Sequence, residues 1–310
     1  MPTLLCLSDY PRELVQGWVA GLDVEVLVAD RSAHIGDLTE DLRRADVVIG
    51  DAARRFRLDA AAIAELHRCR LIMHPAVGLD GVLDTGAAAA QGIRVQNAPG
   101  YNAEAVADWA LMAMLLLLRD AVAAEQALRA DGWARLPLGR ELGALTVGIV
   151  GYGAIGRAVH QRLRGFGAGV LVSDPRPVPG SVALQVELDE LLQRSDVVTL
   201  HAPLTQATEH LLDATKFAAM RDGSVLVNAA RGGLIVEEDL AAALRVGRPR
   251  GAALDVFASE PLPDGSPLRE LDNVYLSPHA AAGTQQARER VRALVGETVR
   301  SAFATMARTD

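Results

Sequence analysis

The sequence predicts an α/β protein of two domains, each built on a parallel sheet, and three observations carry that reading. Short runs rich in Val, Ile and Leu alternate with segments of helical periodicity, the rhythm of parallel strands joined by crossover helices. The 310 residues, 50% of them hydrophobic, exceed what one small core holds. The strand series is broken once, after Asn97-Ala98-Pro99-Gly100, by a long apolar helix.

In the first third, Leu4–Leu7, Val24–Val28, Val47–Ile49, Leu71–Met73 and Ile93–Val95 read as the strands of one domain. The helix that follows, Ala105–Leu118, is too short to span a membrane and contains Asp108, so a buried helix is expected. A second series runs through Thr146–Val150, Val170–Val172, Val197–Leu200, Val225–Val227, Ala252–Leu254 and Val274–Leu276. The last stretch, Gln285–Met306, places Val291, Leu294, Val295, Val299 and Phe303 on one stripe that needs an apolar partner. Nothing in the second series calls for another helix, so this one is expected to cross back to the first domain. The expected domains are residues 1–99 with 284–310, and residues 100–283, with hinges near Pro99-Gly100 and Ala282-Gly283.

Between the strand Thr146–Val150 and a helical pattern from Arg157 stands Gly151-Tyr152-Gly153-Ala154-Ile155-Gly156. A chain that turns from strand to helix around a pyrophosphate must bring backbone N–H groups close to it with no Cβ in the way. Gly151 and Gly153 serve the turn and the approach, Gly156 permits close helix packing, and Ala154 and Ile155 within the same turn are expected to contact the bound dinucleotide. The next strand ends on Asp174, about twenty residues on, where a carboxylate accepts hydrogen bonds from ribose hydroxyls. This is the pattern of a Rossmann dinucleotide-binding domain. Asp174 would repel a 2′-phosphate and favours NAD; Arg176, two residues later, could pair with that phosphate and keeps NADP as the less favoured alternative. Asp174 is also compatible with a plain turn cap before Pro175.

A formal charge of −8 argues against a nucleic-acid or anionic-membrane partner, which needs clustered positive charge. Cys6 and Cys69 lie in or beside apolar runs without CxxC spacing and read as buried thiols of a reducing, cytoplasmic compartment. Residues Met1–Ser8 do not read as a signal peptide. No His, Cys and acid cluster has metal-ligand spacing, and no Gly-Xaa-Ser-Xaa-Gly elbow occurs.

Three further words follow in fixed order at the ends of apolar runs. They are Val227-Asn228-Ala229-Ala230-Arg231-Gly232-Gly233, Leu254-Asp255-Val256-Phe257-Ala258-Ser259-Glu260-Pro261 and Ser277-Pro278-His279. Together with Val77-Gly78-Leu79-Asp80, Asn97–Asn102 with Ala105–Asp108, Gly132-Trp133 and Leu200–Thr205, they make the chain resemble the D-isomer-specific 2-hydroxyacid dehydrogenases over nearly its whole length. The resemblance implies a flavodoxin-like substrate domain beside the Rossmann domain, and interconversion of a 2-keto acid and a D-2-hydroxy acid with NAD. Arg231 resembles the arginine that grips the substrate carboxylate and keto oxygen, a task suited to a planar, always charged guanidinium. His279 resembles the acid/base residue, with an ordinary pKa near 6.5 that serves both directions. Glu260 resembles the acid that orients that histidine. Asp255 matches an acid near the nicotinamide carboxamide, Ala202, Pro203, Thr208 and Ala229 match positions lining the cofactor, and Arg231 and His279 also border it. Val77 and Gly78 match backbone N–H donors to the substrate carboxylate, and the resemblance further implies domain closure and a homodimer, for which the apolar excess of Ala105–Leu118 also speaks.

Other readings stand beside these. Alone, Arg231 would read as a helix-start ion-pair partner and Glu260 as a turn residue; their order with His279 favours the catalytic reading. His201 reads as a strand-end packing residue, and His34, His67, His160 and His210 as surface or structural. His74, just ahead of Val77-Gly78, either lines the substrate pocket or packs. Relatives of the same fold oxidise formate or phosphite. The formate arrangement replaces the acid at Glu260 by glutamine, which disfavours formate and leaves phosphite open. An NAD(H)-sensing corepressor scaffold is the alternative from a different class. The substrate side chain and the physiological direction are not legible.

Overall fold

The computed structural model describes residues 1–133, 137–179 and 183–308. The chain divides into two compact units, Met1–Asn102 with Gln285–Asp310, and Ala103–Thr284.

The first unit contains β1 (Thr3–Cys6), α1 (Arg12–Trp18), β2 (Glu25–Val28), α2 (Thr39–Arg44), β3 (Val47–Ile49), α3 (Ala60–Ala64), β4 (Leu71–Met73), α4 (Thr85–Ala90) and β5 (Arg94–Gln96). The strands pair in parallel in the order β2-β1-β3-β4-β5, the flavodoxin-like order. Side chains alternate across the sheet, so Leu5, Val48 and Ile72 join one core with Leu42 of α2 and Ile63 of α3. Leu4, Cys6, Val47, Ile49, Leu71 and Met73 face the other way, onto Val15 of α1 and a stripe of Val291, Val295, Val299 and Phe303. That stripe belongs to the C-terminal helix Gln285–Met306, which the sequence expected to return here. It fits tightly because Gly296 meets the indole of Trp18, where a Cβ would overlap the ring. Cys6 and Cys69 are buried free thiols, each pushed up to about 12 by burial.

The second unit contains α5 (Ala103–Leu118), α6 (Ala121–Asp131), β6 (Thr146–Val150), α7 (Ala154–Phe166), β7 (Gly169–Ser173), β8 (Leu184–Gln185), α8 (Leu188–Arg194), β9 (Val197–Leu200), α9 (Ala214–Ala219), β10 (Val225–Asn228), α10 (Glu237–Arg245), β11 (Gly251–Leu254) and β12 (Val274–Leu276). Among the described residues its sheet has seven strands, all parallel, in the order β12-β11-β10-β9-β6-β7-β8. α5 and α7 cover the face carrying Val147, Ile149, Val225 and Val227. Residues of α8, α9 and α10 cover the face carrying Val198, Leu200, Leu226 and Leu254. The two acids of the mostly apolar α5, Glu104 and Asp108, are both met by Arg162 of α7, whose guanidinium donates to Asp108 at 2.6 Å and to Glu104 at 2.8 Å. The strand β8 carried no sequence signal, since two residues cannot show a period. Strand order reverses between β6 and β9, and in such sheets ligands bind beyond the C-terminal ends of the strands at that switch point.

Candidate active site

The chain leaves β6 through Gly151, whose φ of +90° suits glycine and whose added Cβ would lie 2.6 Å from Ala202 N. Gly156, in the first turn of α7, touches the Gly151 carbonyl so closely that any Cβ would overlap it. These two glycines are therefore required by the protein's own packing. Gly153 differs: its φ of −75° and ψ of −156° suit any residue, and an added Cβ would touch no protein atom. The protein's own packing does not call for glycine there, and the space in front of it is open to a ligand. Gly153 caps α7 with no side-chain hydrogen bond, so the first turn, with Ala154 and Ile155, presents a helix N-terminus of the kind that binds phosphate.

Asp174 follows β7 beside this turn. One carboxylate oxygen accepts Tyr152 N–H at 2.7 Å and the other accepts Arg176 N–H at 2.8 Å. Burial pushes this carboxyl up, but the two N–H groups and the Arg176 guanidinium outweigh it and hold it below the usual range. The turn-cap role is thus present, and the Arg176 side chain reaches back to Asp174 at 3.4 Å. Gln185 of β8 secures the same turn, donating to the Asp174 carbonyl at 2.6 Å and accepting Val178 N–H at 2.8 Å. A cleft lined by Asp174, Gln185–Leu188, Ala207 and Thr208 opens alongside. Below it the Tyr152 hydroxyl meets His160 Nδ1 at 2.6 Å, an anchor between the glycine loop and the middle of α7. His160 is therefore structural, with a partner its sequence context did not reveal.

β9 delivers His201, Ala202 and Pro203 to the switch point, where His201 N–H bonds the Val150 carbonyl at 2.7 Å. The His201 ring is buried; Nε2 pairs with Thr199 Oγ1 at 2.9 Å, and Nδ1 has no partner among the described residues. Thr208 Oγ1 donates to the Pro203 carbonyl at 2.6 Å and accepts Thr205 N–H at 2.8 Å, which fixes the loop that carries Ala202 and Pro203. The open Gly153 cradle, the uncapped α7 terminus and the orphaned His201 nitrogen converge on one end of the sheet. This arrangement fits a dinucleotide.

β10 ends at Asn228, followed by Ala229, which packs with Val106 of α5 and Ala281. Asn228 holds both sides of the bend, accepting Ala230 N–H at 3.0 Å and donating to the Arg231 carbonyl at 2.9 Å. Arg231 is half-buried, and its guanidinium donates to the Ala230 carbonyl at 2.7 Å. Gly232 lies against the backbone of Phe257 and Ala258, where no Cβ would fit, so the β10 and β11 loops touch at this glycine.

Asp255 ends β11, 1% exposed. Its carboxylate accepts Ser277 Oγ at 2.5 Å, Ala280 N–H at 2.8 Å and Ala281 N–H at 2.8 Å, and its carbonyl accepts His279 N–H at 2.8 Å. The bend so enclosed places His279 at φ 52°, a left-handed conformation that costs a non-glycine residue about 1–2 kcal/mol. Each bond to a buried carboxylate returns about as much, so three of them hold the strained bend. The cofactor-contact reading of Asp255 thus meets a carboxylate already engaged by the loop of His279. The His279 ring in turn donates Nδ1–H to Glu260 Oε2 at 2.8 Å, and Glu260 Oε1 accepts Phe257 N–H at 3.1 Å. Arg231, Glu260 and His279 stand on three neighbouring strand ends of one unit, and the histidine tautomer is set by the carboxylate.

Residues 111–281 match the family model described as D-isomer specific 2-hydroxyacid dehydrogenase, NAD binding domain. The chain belongs to the D-isomer specific 2-hydroxyacid dehydrogenase family. It is 40% identical over 302 residues to the D-3-phosphoglycerate dehydrogenase of Mycobacterium leprae, covering 94% of this chain and 56% of that protein. It is 35% identical over 271 residues to the hydroxypyruvate reductase of Thermotoga maritima, covering 86% of this chain and 88% of the relative. Among solved structures, a D-lactate dehydrogenase from Aquifex aeolicus, complexed with NAD and lactic acid, superposes with a TM-score of 0.85 at 27% identity, covering 97% and 95% of the two chains. The chain spans about half the length of the phosphoglycerate dehydrogenases that it matches.

The remaining candidate residues lie in the first unit. Val77 and Gly78 occupy the loop after β4, pinned where Asn97 Nδ2 donates to the Val77 carbonyl at 2.6 Å. His74, at the end of β4, is 2% exposed and its ring lies over Gly50, which has no Cβ to obstruct it. The packing reading of His74 therefore has a concrete basis. Burial, aided by Arg54 and opposed by Asp51, lowers its pKa to about 4; burial alone lowers that of His201 to about 3.

Two outcomes are expected. Asp255→Ala strips the acceptor from three donors and should cost about 3 kcal/mol, read as a lower urea midpoint; an unchanged midpoint would contradict the role given to Asp255. In the unfolded chain both buried histidines titrate near about 6.5, so between there and about pH 4 the unfolded state binds protons that the folded state refuses. Stability accordingly rises with pH through that window and is lost as pH falls. Going from about pH 7 to about pH 5 should cost on the order of 2 kcal/mol per histidine, and His74→Asn should flatten the dependence in urea unfolding at the two pH values.

Proposed function

We propose that this chain is a cytoplasmic, NAD-dependent oxidoreductase that interconverts a 2-keto acid and a D-2-hydroxy acid. The observation that carries the reading is the Glu260–His279 pair at 2.8 Å, joining the ends of β11 and β12 beside the β10 end that carries Arg231. NAD, when bound, supplies or accepts the hydride, held through the glycine turn Gly151–Gly156, Asp174, the Ala202–Thr208 loop and Ala229. With Nδ1 committed to Glu260, His279 moves its proton at Nε2: it protonates the keto oxygen in reduction and takes the hydroxyl proton in oxidation. Arg231 holds the carboxylate and polarises the keto oxygen, and the Val77 and Gly78 N–H groups are assigned to the same carboxylate. Similarity to enzymes named for phosphoglycerate, glyoxylate and hydroxypyruvate supports a small 2-keto acid as the substrate class.

We further propose a homodimer formed through the second unit. Met112 and Leu115 of α5 are 38% and 37% exposed, and Trp133 and Leu138 are almost fully exposed, an apolar surface that a second copy would cover. Light scattering at micromolar concentration should return twice the 32.8 kDa chain mass, and a monomer mass would count against it.

The reaction is tested by following NADH loss over a panel of 2-keto acids, with NADPH in parallel. Turnover is expected with NADH, and His279→Ala should lower kcat by about a hundredfold or more with little change in NADH affinity. Saturable NADH binding without turnover on any acid would overturn the proposal.

A further inference from the structure

Glu237 opens α10, and the chemistry above makes no use of it. Its carboxylate accepts the N–H of Ala258 at 2.6 Å, reaching a loop 21 residues away in sequence. The preceding N–H, that of Phe257, is the one accepted by Glu260 at 3.1 Å, and the other oxygen of Glu260 holds His279 at 2.8 Å. Two consecutive N–H groups of one loop thus point at two carboxylates. Gly232 lies against the backbone of the same two residues, so the loop is fixed on that side as well.

The acid stands there at a cost. Glu237 is half-buried; burial raises its pKa, as do the neighbouring charges of Glu238 and Glu260, and only the Ala258 N–H works in the other direction. We propose that Glu237 is a positioning residue for proton transfer, fixing the Phe257–Glu260 loop through Ala258 so that Glu260 stays turned onto His279. The inference rests on the reading of Glu260 and His279 as the proton-transferring pair.

The test compares Glu237→Ala, which removes the acceptor, with Glu237→Gln, which keeps an oxygen at the same reach. Isotopically labelled histidine lets NMR follow the downfield Nδ1 proton of His279 that the Glu260 hydrogen bond produces. In Glu237→Ala that signal should be lost and kcat should fall about ten- to a hundredfold, with the NADH dissociation constant by fluorescence changed less than about twofold. Glu237→Gln should restore the signal and most of kcat. If Glu237→Ala does not fold, Glu237→Asp, which withdraws the acceptor by one methylene, takes its place with the same expected losses. An unchanged signal and kcat in the truncated variant, or a glutamine variant as damaged as the alanine one, overturns the proposal. Because the proton signal needs no turnover, a wild-type protein inactive on every 2-keto acid would defeat the proposed function while the signal still decides the role of Glu237.

Discussion

The Asp255 carboxylate is the interaction on which the rest of the site depends. It sits just past the end of β11, one strand in from the sheet edge, shielded from water, and gathers Ser277, Ala280 and Ala281 around one carboxylate. A buried carboxylate without such donors would be expelled or protonated, so charge and loop stabilise each other. The left-handed backbone of His279 is a product of that bend. What presents the histidine to Glu260 is a buried ionic anchor behind it, and the exposed face of the site inherits its geometry from that anchor.

The parallel sheet supplies the second constraint. All seven strands of the second unit end on the same side, so residues far apart in sequence arrive together: Gly151 beside Ala202, Gly232 beside Phe257, Glu260 beside His279. Close approach of these ends requires glycine in two of the three cases, since a single Cβ would open the contact. Gly153 is the informative exception. It is free of protein contacts on its Cβ side, which leaves the backbone there open to the close approach of a phosphate.

Much of this was legible in the sequence, because short-range patterns carry it. The periodicity of Leu4–Leu7 or Thr146–Val150 marks strands locally, and the Gly151–Gly156 spacing reports one turn and one helix start. The order Arg231, Glu260, His279 was readable because each residue closes its own apolar run. Other features were not readable. The partner of His160 is a tyrosine eight residues away through a turn, and that of Glu237 is a backbone N–H with no side-chain signature. Asp255 showed its charge in the sequence and not its three donors, and His74 became a packed residue only through Gly50 on the neighbouring strand.

The sequence by itself determined the two parallel sheets, the glycine turn and the return of the last helix, and singled out Arg231, Glu260 and His279 as candidates, since periodicity, chain-local turn chemistry and residue order encode them. Tertiary structure decided which polar atoms meet: the enclosure of Asp255, the hold of Glu237 on the Ala258 N–H, the anchoring of Tyr152 by His160 and the burial of His74 and His201. Those depend on the register between strands and on the absence of a Cβ at a contact, quantities set by packing across the sheet and not by any one stretch of chain.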